Sequence, residues 1–136
     1  MAIPPHQRDE LIARAQQARQ RAYAPYSGYL VGAALLARSG TIYEGVNVEN
    51  AAYPTGMCAE RSAVFSAVSK GERDFSAIAV VTADGGTPCG SCRQVLTEFG
   101  PEIVVFIADG QGRLIAETTA EDLLPDAFGP ANLSRR

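Results

Sequence analysis

Three cysteines and one glutamate constrain this chain more than any other feature. Cys58-Ala59-Glu60-Arg61 and Pro88-Cys89-Gly90-Ser91-Cys92-Arg93-Gln94 each stand at the start of a helical pattern, and together they hold every cysteine of the 136-residue chain. Three is an odd number, and a disulfide framework needs pairs. A CxxC at a helix start puts two sulfurs on one side of the first turn, within reach of one metal ion. Cys58 can join them only if the fold lays the two helices side by side with their N-termini converging. The positive ends of both helix dipoles then favour thiolates at that point.

The apolar pattern supplies such a fold. Residues 7–23 read as an amphipathic helix with Leu11, Ile12, Ala15, Ala18 and Ala22 on one face. Tyr29 to Ala37 is a continuous apolar run and Thr41 to Val46 returns after Arg38-Ser39-Gly40, the pattern of an antiparallel hairpin. A helix over 57–70 ends at Gly71, a strand runs from Ser76 to Thr82, a helix covers 89–99, and Ile103 to Ala108 is a further apolar strand. Strand, helix, strand between 76 and 108 predicts a parallel crossover. Leu114 to Glu117 is a fifth strand, and Thr118 with Glu121 fits a capping box for a last helix through Leu124. The expected architecture is a three-layer α/β sandwich, a mixed five-stranded sheet with helices on its faces, formed by residues 1–136 as a single domain. The last few residues of the tail, ending Arg135-Arg136, are expected to be mobile.

Composition narrows the function. The net charge is −3, with a single lysine, Lys70, and arginines spread along the chain. That disfavours a nucleic-acid polymer as partner, because phosphate backbones select clustered cations. No apolar run approaches the roughly 20 residues that span a bilayer, so no membrane partner is expected. The N-terminal Met1-Ala2-Ile3-Pro4-Pro5-His6 lacks the apolar core of a signal peptide, which points to a cytoplasmic protein.

The site chemistry follows from the ligand count. Structural zinc sites are normally closed by four ligands, whereas catalytic ones keep a position for water. His6 is the single histidine and sits in a Pro-rich N-terminal segment, so three thiolates are the expected set. Glu60, two residues past Cys58, is placed to move protons beside a water made acidic by the metal. Arg61 can offset the excess negative charge by donating to sulfur, although a surface arginine is an equally common reading. Asn47-Val48-Glu49-Asn50 ends the second strand, and residue types alone favour an ordinary turn there over a grip on hydroxyl groups.

The CxE and PCxxC pair resembles the signature of the zinc-dependent cytidine deaminases. Ala22-Tyr23-Ala24-Pro25-Tyr26-Ser27, Val31-Gly32-Ala33-Ala34-Leu35, Asn47-Val48-Glu49-Asn50-Ala51 and Leu123-Leu124-Pro125 are similar to the homotetrameric, free-nucleoside branch. The resemblance implies Zn2+ on Cys58, Cys89 and Cys92, Glu60 as proton shuttle and Arg61 on the thiolates. It implies Asn47 and Glu49 on the ribose hydroxyls, reversing the turn reading. Tyr29 would flank the base, Tyr53 would lie at a subunit junction near the sugar, and Phe128 would pack on a neighbouring subunit's substrate. The implied reaction is hydrolytic deamination of cytidine and deoxycytidine by a zinc-bound hydroxide, within pyrimidine salvage. The implied assembly is a homotetramer with shared active sites. Two features depart from the family: Tyr29 stands where Phe is usual, and the loop from Ala83 to Thr87 is short. They keep open a deaminase of a modified cytosine nucleoside, such as a nucleoside antibiotic.

Overall fold

The computed structural model describes residues 2–133. Five strands, β1 (Gly32–Ala37), β2 (Ile42–Val46), β3 (Phe75–Val81), β4 (Val104–Ala108) and β5 (Leu114–Thr119), form one sheet in the order β2-β1-β3-β4-β5. β3 and β4 are parallel, and every other neighbouring pair is antiparallel. The hairpin and the parallel crossover expected from the apolar runs are both present. Helix α1 (Pro5–Arg19) covers one face of the sheet. Helices α2 (Ala59–Ser69) and α3 (Gly90–Phe99), with the short α4 (Ala120–Leu123), cover the other. A last turn of helix, α5, spans Pro130–Leu133.

Strand alternation explains why the central strands are apolar throughout. Ala34, Leu36, Ala77, Ala79 and Phe106 pack toward Leu11, Ile12 and Ala15 of α1. Ala33, Leu35, Ile78, Val80, Val105 and Ile107 pack toward Ala63, Val64 and Leu96 of α2 and α3. Each face of the sheet thus buries its own set, as a doubly covered sheet requires.

Two glycines set how close the helices come. A Cβ on Gly32 would lie 2.0 Å from the Ala15 carbonyl oxygen, and one on Gly45 would lie 2.4 Å from that of Ala59. Backbone therefore meets backbone where α1 crosses β1 and where α2 crosses β2. The second contact matters most, because Ala59 lies between Cys58 and Glu60.

Most boundaries agree with the sequence reading to within a residue or two, and the differences that matter have physical reasons. The first helix stops at Arg19, not at residue 23, because the chain is drawn into pairing with the end of the hairpin: the Tyr23 amide donates to the Asn47 carbonyl at 2.9 Å, and Tyr23 bridges Val48. Ala22 is accordingly off the helix. β1 begins at Gly32 instead of Tyr29, because the Asn47 side chain takes over the backbone there, accepting from the Val31 amide at 2.9 Å and donating to the Tyr29 carbonyl at 2.8 Å. The last strand runs on through Thr119, and it is Thr119, not Thr118, that caps α4, accepting from the Asp122 amide at 3.1 Å. The mobile tail expected at Arg135-Arg136 lies outside the described residues. No helix among the described residues is long and apolar enough to cross a membrane.

Candidate active site

The N-termini of α2 and α3 converge as the cysteine spacing requires. Cys58 is the N-cap of α2 and Cys89 the N-cap of α3, and neither side chain caps its helix, which leaves both sulfurs for other partners. Cys92 lies in the first turn of α3 and is buried. The Sγ atoms of Cys58 and Cys89 are 3.7 Å apart, those of Cys89 and Cys92 are 3.5 Å apart, and all three lie within 4.8 Å of one another. Thiolates bonded tetrahedrally to one zinc at about 2.3 Å sit roughly 3.8 Å from each other. The trio therefore fits zinc, and among the described residues no fourth His, Cys, Asp or Glu joins it. His6 sits on α1 and is not part of the cluster.

The charges fit as well. The thiol of Cys58 is lowered to about 5, first by its hydrogen bond with Cys92 and then, against burial, by the Arg61 guanidinium. Arg61 Nη2 donates to Cys58 Sγ at 3.2 Å. The same Cys58 bond and burial push Cys92 the other way. Three sulfurs this close cannot all ionise unaided, so a dication is the natural replacement for the shared protons, and its uptake releases them.

Glu60 stands next to this cluster, one residue into α2, and only 5% of it is exposed. Burial raises its carboxyl above the usual range, and the charge on Cys58 adds to the rise. A carboxyl raised above its usual range holds a proton more readily, which suits a group that passes protons between partners.

A pocket of about 700 Å3 opens over this floor. It lies where β1 begins and where β2 and β3 end. Tyr29, Asn47, Glu49, Tyr53, Cys58, Glu60, Arg61 and Cys89 all line it, so most of the residues singled out from sequence share one cavity. Glu49 accepts from the backbone amides of Tyr26 and Ser27 at 2.9 and 3.1 Å, and also from the Ser27 hydroxyl. The Ser27 hydroxyl bond, followed by these amides, holds the Glu49 carboxyl below its ordinary value. Asn47 uses one amide hydrogen and one oxygen lone pair on residues 29 and 31, which leaves one of each for a ligand. Tyr53 is three-quarters exposed and meets Tyr26 edge to face, with ring centroids 6.0 Å apart.

Phe128 does not enter this pocket. It lies between α4 and α5, is 58% exposed, and is held through its carbonyl, which accepts from Gln94 Nε2 at 2.8 Å. Sequence reasoning passed over Tyr26 and Ser27, which looked like a helix end and a turn, and Thr82 at the end of β3. Their signal was positional: a turn with Gly28 at φ +68° presents successive amides, and these are what fix Glu49.

A three-thiolate site with one coordination position to spare, beside a buried carboxyl on an α/β/α sandwich, has the construction of a zinc-dependent hydrolase. Comparison with known proteins narrows this. The profile of the cytidine and deoxycytidylate deaminase zinc-binding region matches residues 5–108. A cytidine deaminase of Sporosarcina psychrophila is 51% identical over 129 residues, covering 93% of this chain and 94% of that one. The crystal structure of cytidine deaminase from Burkholderia pseudomallei superposes with a TM-score of 0.84 at 49% identity, covering 93% of this chain and all of that one. Cytidine deaminase from Mycobacterium tuberculosis gives 0.79 at 40% identity over 89% and 96% of the two chains. The chain belongs to the zinc-dependent cytidine deaminase family.

Proposed function

We propose that this enzyme deaminates cytidine and deoxycytidine, consuming water and releasing ammonia with uridine or deoxyuridine. The observation that carries the proposal is the meeting of Cys58, Cys89 and Cys92 with buried Glu60 at one pocket. Zinc, held by the three thiolates, supplies the Lewis acidity that makes water a nucleophile near neutral pH. Glu60 accepts one proton of the attacking water and delivers it to N3 of the cytosine ring; it then takes the second, from the new C4 hydroxyl, and gives it to the departing amine, which leaves as ammonia. Its raised carboxyl suits both directions of transfer. Arg61, donating to Cys58, keeps that sulfur anionic. Asn47 and Glu49 bind the sugar hydroxyls with the bonding capacity that their backbone contacts leave free. This holds the base where its C4 can be attacked, which removes much of the entropic barrier.

Tyr29 forms an aromatic wall of the pocket, and its hydroxyl is already engaged by Asp84 at 2.7 Å. A base carrying an added polar group would find no free hydroxyl donor at this wall, which favours the unmodified base. Phe128 and Tyr53 serve a homotetramer: both are more than half exposed in the single chain, and assembly would cover them. Residues 1–136 act as one domain, and the three free thiols suit the reducing cytoplasm. The test is to follow loss of cytidine absorbance and release of ammonia in the same sample as zinc content. About one zinc per chain with stoichiometric ammonia is expected, and zinc-loaded protein inert toward cytidine and deoxycytidine would reject the proposal.

A further inference from the structure

Tyr29 is fixed at both ends. Its amide donates to the Ser27 hydroxyl at 3.0 Å, and its carbonyl accepts from Asn47 at 2.8 Å. At the far end of the ring the phenolic hydroxyl donates to Asp84 Oδ1 at 2.7 Å, across 55 residues of sequence. Asp84 belongs to a small closed ring: the Thr82 hydroxyl also donates to it at 3.4 Å and accepts from the Gly86 amide at 2.7 Å. The segment so tied runs directly into Pro88 and Cys89. Gly86 is part of the same fit, because a Cβ there would lie 2.6 Å from the Tyr29 hydroxyl oxygen. The ring of Tyr29 has no aromatic partner among the described residues and is 41% exposed, so packing alone does not hold it.

We propose that Asp84 is a positioning residue: by accepting the Tyr29 hydroxyl it fixes the aromatic wall of the pocket against the segment that leads to Cys89. The inference rests on the nucleoside reading given above. Asp84 does not touch the reacting atoms. It acts on how well the base is held, and so on KM rather than kcat. The phenol bond keeps the carboxyl below its ordinary range, so the acceptor is ionised at neutral pH.

The test is a set of variants assayed with cytidine. Asp84→Ala is expected to raise KM about fivefold, the equivalent of one net hydrogen bond, with kcat within about twofold of the parent. Tyr29→Phe should do the same, and the double variant should be no worse than either single one. Independent sites would instead multiply to about 25-fold. Asp84→Asn, whose amide oxygen still accepts, should restore KM. Gly86→Ala should raise KM when Tyr29 is present, and Tyr29→Phe should relieve that defect by removing the oxygen it strikes. An unchanged KM in Asp84→Ala, multiplicative effects, or a Gly86→Ala defect of equal size in both backgrounds would overturn the clasp and leave the deaminase reading standing. If the parent does not turn over cytidine, the deaminase reading falls by itself. The same double-variant cycle in melting temperature then decides the clasp: coupled shifts uphold it and additive shifts overturn it.

Discussion

Replacing Gly45 by alanine tests how the fold places the site. The new Cβ would stand 2.4 Å from the Ala59 carbonyl oxygen and 2.5 Å from the Ala63 amide nitrogen, whereas ordinary contact begins near 3.4 Å. Both obstacles are helix backbone, which no rotamer change can move. α2 must therefore recede from β2 by roughly 1 Å, which also forfeits dispersion contacts along the helix. Overpacking costs about 1–3 kcal/mol in general, and rigid neighbours place this case at the upper end. For a chain of 136 residues, an unfolding entropy of about 2.1 cal/mol/K per residue converts ~3 kcal/mol to a fall in Tm of about 10 °C. The shift also carries Cys58 and Glu60 away from Cys89, so zinc should bind more weakly. Circular-dichroism melts of zinc-loaded protein, with a chelator competition for zinc, measure both effects. Gly90→Ala is the control, because a Cβ there meets nothing within 4 Å. A Gly45→Ala protein melting within about 2 °C of the parent would refute the close-approach argument.

Other outcomes follow from the same geometry. Cys89→Ala should lose zinc by metal analysis and melt earlier, since metal binding and folding are coupled; full zinc content would contradict the ligand assignment. Phe128→Ala, in a side chain outside its own chain's pocket, should raise the KM for cytidine by about tenfold or more while leaving zinc in place, roughly what a buried aromatic contact contributes; an unchanged KM would remove it from the neighbouring site. Glu44 is held below its ordinary value of 4.5 first by Arg14 and then by Arg21. A depressed carboxyl stabilises the fold above its unfolded value, and that contribution disappears as pH falls through the folded one. Glu44→Gln should therefore cost up to about 1 kcal/mol at pH 7, discounted for partial exposure, with the difference closing in strong acid. Denaturant titrations across pH would show it, and a gap that persists at the acid end would contradict the assignment.

Much of the fold was legible because both faces of the sheet are covered. Runs such as Ala77 to Val81 have to be apolar at every position, and they stand out without an alignment. The meeting of Cys58, Cys89 and Cys92 in a cluster that could hold a metal was legible because chemistry leaves few choices for three thiols and a neighbouring carboxyl. The ends of elements were hidden where side chains replace the backbone ladder. Asn47 holds residues 29–31 in place of a strand partner, and no periodicity announces that. Local composition favoured a turn at Asn47 and Glu49. Only the long-range bonds to Tyr26, Ser27, Tyr29 and Val31 reveal them as a built pocket edge. Asp84 was equally silent, since its partner Tyr29 lies 55 residues away.

The central claim is that Glu60 moves protons beside a metal it does not ligate. Its most direct test is kcat for cytidine in Glu60→Gln, measured in the same sample as zinc content. The account predicts about one zinc per chain with turnover reduced by about 10²–10⁴-fold. Turnover near that of the parent, or loss of zinc together with activity, would contradict it.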